Sequence, residues 1–198
     1  MRRLWVAACL VITAGMLVPP GAAVRAQSPA ERQEMRAAFL KRVDQYARLH
    51  RELEKLLPPE VITSDLDVLM APRVAMGREM RKARASARQG NIFTPEIAVY
   101  FRVVLAETLW REGITDLLAT IEDGNTVHIP ARVNGDYPAG RSTPPIPPCL
   151  LDVLPRLPPE VRYSFIGRDL ILWDLHAGLI VDFVPGAVPV FTESTGGS

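Results

Sequence analysis

Val161-Arg162-Tyr163-Ser164-Phe165-Ile166-Gly167-Arg168-Asp169-Leu170-Ile171-Leu172-Trp173-Asp174 is the stretch that decides the fold class. Val161, Tyr163 and Phe165 alternate with Arg162 and Ser164, the period-two pattern of a half-buried strand. Gly167-Arg168 offers a two-residue turn with glycine first, which suits a type II′ hairpin. Asp169–Asp174 is then the returning strand. Leu175 to Gly178 turns the chain again, and Leu179–Val184 forms a third strand that Pro185-Gly186 ends. The reading is a three-stranded antiparallel meander. A sheet this small needs a helical layer against one face, and the upstream sequence supplies one.

Residues 28–57 read as one long helix. Ser28, Pro29 and Glu31 form a start: a hydroxyl cap, proline in the first turn and a glutamate that reaches back to the cap. Met35, Phe39, Val43, Tyr46, Leu49, Leu53, Leu56 and Leu57 follow in steps of three and four along one stripe. A second helix is expected over 65–89, capped by Ser64 or Asp65. Its inner face would be Met70, Val74, Gly77, Met80, Ala83 and Ala87, small enough for a neighbouring helix to come close. A third runs from the Thr94-Pro95-Glu96 cap to about Glu112. It carries two apolar stripes, one through Ile97, Phe101 and Leu105 and one through Val99, Val103, Ala106 and Trp110, so it is expected at the centre of its bundle. Glu107 and Arg111 are spaced to pair on its remaining edge. A short fourth helix is expected over Thr115 to Ile121.

The expected organisation is therefore α+β: a helical lobe over 27–122, a proline-rich connector over 123–160, the meander over 161–191 and a polar tail over 192–198. Within the connector, 126–133 is a candidate edge strand interrupted by Pro130, and Cys149 to Leu154 a helical turn or two.

Residues 1–26 have the parts of a cleavable export signal. Arg2 and Arg3 supply the positive end. Leu4 to Val18 is uncharged and apolar, and Pro19-Pro20-Gly21 breaks the helix after it. The run is short against the ~20 residues of a spanning helix, so cleavage after Ala26 is expected, with no transmembrane segment in what remains. The protein would then be periplasmic or secreted. Lys plus Arg number 23 and Asp plus Glu 22; taking away Arg2, Arg3 and Arg25 leaves a formal charge of −2. No global field argues for nucleic acid. The one remaining cysteine, Cys149, cannot form a disulfide within the chain.

Three runs carry a resemblance: Ala87-Arg88-Gln89-Gly90-Asn91-Ile92-Phe93-Thr94-Pro95-Glu96, then Tyr163 to Leu172, then His176-Ala177-Gly178-Leu179-Ile180-Val181-Asp182-Phe183. Together they resemble a group of exported bacterial proteins without assigned function. The resemblance implies export and the two-part layout, and it implies no catalytic residues. The meander alone resembles small hairpin modules of periplasmic nickel/cobalt-efflux regulators.

Candidate chemistry is sparse. Asp174, His176 and Asp182 lie on or beside one turn of the meander and form a candidate metal set, two carboxylates and an imidazole. Against it stands the plain alternative that both aspartates satisfy turn amides. Cys149 with His50, His128 or His176 has the residue types of a nucleophile and base, yet no nucleophile-elbow glycines surround it, and a structural thiol is the better reading. Phosphate loops, dinucleotide fingerprints, paired zinc-ligand cysteines and H-E-x-x-H are absent. The second helix carries Arg73, Arg78, Arg81, Lys82, Arg84 and Arg88 against Glu79. This face would touch an anionic surface, chiefly through Arg78, Arg81, Lys82 and Arg84, or pair with Glu52, Glu54 and Glu60. The sequence thus favours a non-enzymatic envelope or secreted protein that works by contact with an envelope protein partner and needs no cofactor. A small periplasmic metal- or ligand-binding regulator is the alternative.

Overall fold

The computed structural model describes residues 27–58, 64–113, 130–137 and 146–189. It is α+β: helices lead, and a three-stranded antiparallel sheet of order β1-β2-β3 closes the chain. Strands β1 (Val161–Ile166), β2 (Asp169–Asp174) and β3 (Leu179–Val184) have the expected bounds. Ile166 pairs with Asp169 across the first turn. There Gly167 takes φ 56° while Arg168 stays at negative φ, as a glycine-first turn requires. The β2–β3 register slips between Leu172 and Trp173. This bulge places Val181 in the main core and turns Asp182 towards residues 90–93.

Both faces of the sheet are covered, where the alternation predicts one wet face. Phe165, Leu170, Leu172, Val181 and Val184 meet the helices. On the other face, Ile166, Ile171 and Ile180 pack under Tyr137. Tyr137 stacks on Trp173 at 4.0 Å, and its hydroxyl shares a 2.6 Å hydrogen bond with Ser164 Oγ. The segment holding Tyr137 runs along β3: Asn134 N and Tyr137 N donate to Ile180 O and Gly178 O, and Ile180 N donates to Gly135 O. The expected edge strand over 126–133 lies partly outside the described residues. Within 130–133 there is no strand, and the pairing falls at Asp136 with Leu179 instead. Pro130 has no N–H to give a ladder, and the pairing begins beyond it.

Helix α1 (Pro29–Glu54) starts on the expected capping box, with Glu31 N donating to Ser28 Oγ and Ser28 N to Glu31 Oε2. It ends before the Leu56-Leu57 pair, and Leu56 is 79% exposed. Its buried line is Phe39, Val43, Tyr46, Ala47 and His50, so the stripe turns from Leu53 towards His50. Helix α2 (Leu66–Ala83) is capped by Asp65 and is shorter than expected. Its inner face is a correction as well. Met76, Gly77 and Met80 are buried, whereas Met70 and Val74 are exposed. Gly77 is small for the sake of the sheet: a Cβ there would stand 2.8 Å from Ala177 O in the β2–β3 turn.

Helix α3 (Pro95–Arg111) buries Ile97, Phe101, Leu105 and Leu109 but leaves Val99 and Trp110 exposed, Trp110 at 80%. It is therefore amphipathic rather than central. Glu107 pairs with Arg32 on α1, both bonds at 2.6 Å. A six-residue helix α4 (Pro148–Val153) buries Leu150 and carries Cys149 as a half-buried free thiol. Phe39, Phe93, Phe101 and Tyr163 form the aromatic centre where α1, α3 and β1 meet. Among the described residues no helix is long and apolar enough to cross a membrane. The expected signal at 1–26, the fourth helix at 115–121, His128 and the tail at 192–198 lie outside the described residues.

Candidate functional site

Asp174 is the last residue of β2 and the first of the turn that follows. Its Oδ1 accepts from Ala177 N at 2.6 Å, and its carbonyl accepts from Gly178 N, an aspartate-closed turn. Gly178, at φ 65°, allows the closure. The other carboxylate oxygen, Oδ2, accepts from two α1 side chains one helical turn apart, the Tyr46 hydroxyl and His50 Nδ1, each at 2.6 Å. Asp174 is 0% exposed and His50 2%. A carboxylate this deep is tolerable because every bond it accepts is short.

These contacts set the protonation of the group. Burial pushes the Tyr46 hydroxyl well above an ordinary tyrosine, and the Asp174 charge adds to the push. Burial also pushes His50 down. The Asp174 hydrogen bond and charge, with Glu54 and Glu160 behind them, outweigh it, and the net shift is upward. The bond to Asp174 engages Nδ1, so a neutral His50 carries its lone pair on Nε2.

His50 lines a cleft of about 490 Å³ together with Glu54, His176 and Glu160. Leu69, Met70 and Leu175 make its apolar walls. One ligand atom each of His50, Glu54 and His176 lies within 4.8 Å of the others. His176 Nδ1 stands 3.2 Å from Glu54 Oε1. Glu160 accepts from Arg51 Nη1 through Oε1, at 2.6 Å, while its Oε2 is buried with no hydrogen-bond partner. Two imidazoles and a carboxylate suit zinc, nickel, cobalt or copper better than calcium or magnesium. An imidazole held from behind by a carboxylate is the usual outer-shell arrangement at such ions.

Of the set Asp174, His176 and Asp182, the structure brings Asp174 and His176 each beside His50 and leaves Asp182 elsewhere. Asp174 is occupied behind His50. Asp182 accepts from Gly90 N, Ile92 N and Phe93 N as well as Phe183 N, and so pins the loop between α2 and α3 to β3. His50 and Glu54 are the partners of His176 that the sequence reading passed over. The available clue was spacing: His50 falls four residues after Tyr46 and Glu54 four after His50, on the face that continues the Phe39–Val43–Tyr46 line.

The basic side chains of α2 and its C-terminal cap go largely to acceptors within the chain. Arg78 and Lys82 share Glu79, and Arg81 pairs with Asp136. Arg84 bonds Asn134 Oδ1 and Val181 O and lies over the Tyr46 ring, 5.0 Å from its centre. Burial holds Arg84 below the usual arginine range. Among the described residues none of them pairs with Glu52 or Glu54; Glu52 pairs with Lys55 and Glu54 with His176, and Glu60 lies outside the described residues.

Comparison with known proteins yields no match: no protein-family model, curated protein or solved structure aligns significantly with this chain.

Proposed function

We propose that this is an exported protein that binds a divalent transition-metal ion through His50, Glu54 and His176. The observation that carries the reading is the buried Asp174–His50 pair at 2.6 Å, which fixes one imidazole at the wall of a cleft that also holds a second imidazole and a carboxylate. Zinc–nitrogen bonds are about 2.0–2.1 Å, so ligand atoms within 4.8 Å of one another need only a modest contraction. Glu54, the exposed member at the end of α1, has the freedom to supply it. Export is supported by the Arg2-Arg3 end, the apolar run from Leu4 to Val18 and the breaker after it.

The test is calorimetric titration of the purified protein with Zn(II) and with Ni(II), beside His50→Ala and His176→Ala. One ion bound at micromolar concentration or better, and lost in both variants, supports the reading. No binding, or binding that survives both changes, overturns it.

A second reading, that the protein works by contact with an envelope protein, has its own support. Leu66, Leu69 and Val74 are more than half exposed along α2. A stripe of this kind suits a partner with an apolar groove. Crosslinking in the native envelope should then recover one stoichiometric partner, lost on Leu66→Asp with Val74→Asp. Recovery of the chain alone would sink this reading.

A further inference from the structure

Arg73 is a half-buried arginine that lines the same cleft, and among the described residues it makes no ion pair and no hydrogen bond. Its place is specific. A Cβ at Gly178 would stand 2.6 Å from both Nε and Nη2 of Arg73, so the guanidinium lies flat over the glycine of the β2–β3 turn. Gly178 thus serves two ends, the positive φ of the turn and room for Arg73. Arg78, Arg81 and Lys82 of α2 and Arg84 at its C-terminal cap are taken up by Glu79, Asp136, Asn134 and Val181 O. A half-buried arginine without an acceptor, at the wall of a cleft, is a site for an anion, and its planar fork matches a carboxylate.

The rest of the cleft narrows the class of anion. Leu69, Met70 and Leu175 give it apolar walls, and its volume of about 490 Å³ accepts a small organic molecule. Glu54 and Glu160 stand in the same cleft, so without a cation an anion meets two carboxylates. Three protein ligands leave a transition-metal ion with an open position. We infer that the cleft binds a small monocarboxylate with an apolar body, its carboxylate held between Arg73 and the open position of the metal. The inference rests on the metal reading above. A phosphate, with more charge and no apolar body, gains less from these walls and suffers more from the two glutamates.

The test uses the purified protein, metal-free and loaded with Zn(II), titrated calorimetrically with hexanoate, acetate and inorganic phosphate. Hexanoate should bind the loaded protein more tightly than acetate or phosphate, and the metal-free protein at least about tenfold more weakly, the scale of one lost charge-assisted contact. Arg73→Gln should lower hexanoate affinity by a similar factor of about ten while Zn(II) affinity stays within about twofold. Arg73→Lys, which keeps the charge and loses the fork, should fall between. If Zn(II) binds and hexanoate does not, or if hexanoate ignores the metal or the Arg73→Gln change, the inference is overturned and the metal reading stands. A preference for phosphate also overturns it. If Zn(II) itself fails to bind, both fall.

Discussion

Asp174 and Asp182 occupy neighbouring strands of one small sheet, and both are 0% exposed. They solve the burial of a charge in different ways. Asp182 spends its carboxylate on backbone: three N–H groups from 90–93 and its neighbour Phe183 N converge on it. Nothing titratable touches it in that set, and its work is to hold the loop that leads into α3. Asp174 gives one oxygen to backbone and the other to Tyr46 and His50. Its work ends on an imidazole at a cleft. The difference teaches that a buried aspartate is a structural staple or part of a site according to its donors, and that sequence position alone does not distinguish them.

The largest expected effect tests the staple. Asp182→Ala leaves the N–H groups of Ile92 and Phe93 buried and Gly90 N without its acceptor, and should cost about 4 kcal/mol in urea unfolding. Zn(II) affinity of the folded fraction should be unchanged. A loss below about 1 kcal/mol would mean the loop satisfies itself elsewhere.

Metal should stabilise through the other aspartate's side of the molecule. At a free Zn(II) concentration one hundred times the dissociation constant, the unfolding free energy should rise by about 2.7 kcal/mol, and the Tm by several degrees. Absence of a shift at saturating ion would contradict the site.

Asp174→Asn keeps shape and volume but sets an NH2 group, which cannot accept, against either Ala177 N or the Tyr46 and His50 donors. It should cost about 2 kcal/mol in stability and weaken Zn(II) binding about 10- to 100-fold. Asp182→Asn should leave Zn(II) binding alone. Equal effects of the two changes on metal would erase the distinction drawn here.

The exposed pair Arg32–Glu107 is the control, and its effect should be the smallest. The Arg32 hydrogen bond holds the Glu107 carboxyl below the usual glutamate range. A carboxyl so lowered stabilises the fold above its unfolded value and loses that contribution as pH falls through the folded one. Both side chains are substantially wet, so the contribution is under about 1 kcal/mol. Glu107→Gln should therefore move the urea midpoint slightly at neutral pH and not at all at the acid end of that range.

Much of the local structure is legible in the residues. The Ser28–Glu31 capping box, the Thr94-Pro95 start and the glycine-first turn at Gly167 are determined by atoms within four positions of one another, and short-range geometry leaves them few alternatives. The orientation of α2 was not legible. Met70 and Val74 fit an apolar stripe as well as Met76 does, and which of them goes inside depends on where Gly77 meets the β2–β3 turn. The candidate site was half legible. His176 stood out beside a turn, but its companions lie over 100 residues upstream on α1, as the His50–Asp174 separation of 124 positions shows.

The sequence by itself determined the elements, their caps and turns, the α+β class and the residue types available for chemistry, because those follow from backbone preference and from the period of apolar residues. Only the tertiary structure decided that Asp174 would back His50 while Asp182 pinned a loop, and that Arg73 would lie over Gly178 without an acceptor. The physical reason is range. Helix and hairpin formation is settled between near neighbours, whereas the fate of a buried charge is settled by whichever donors the packed core carries to it.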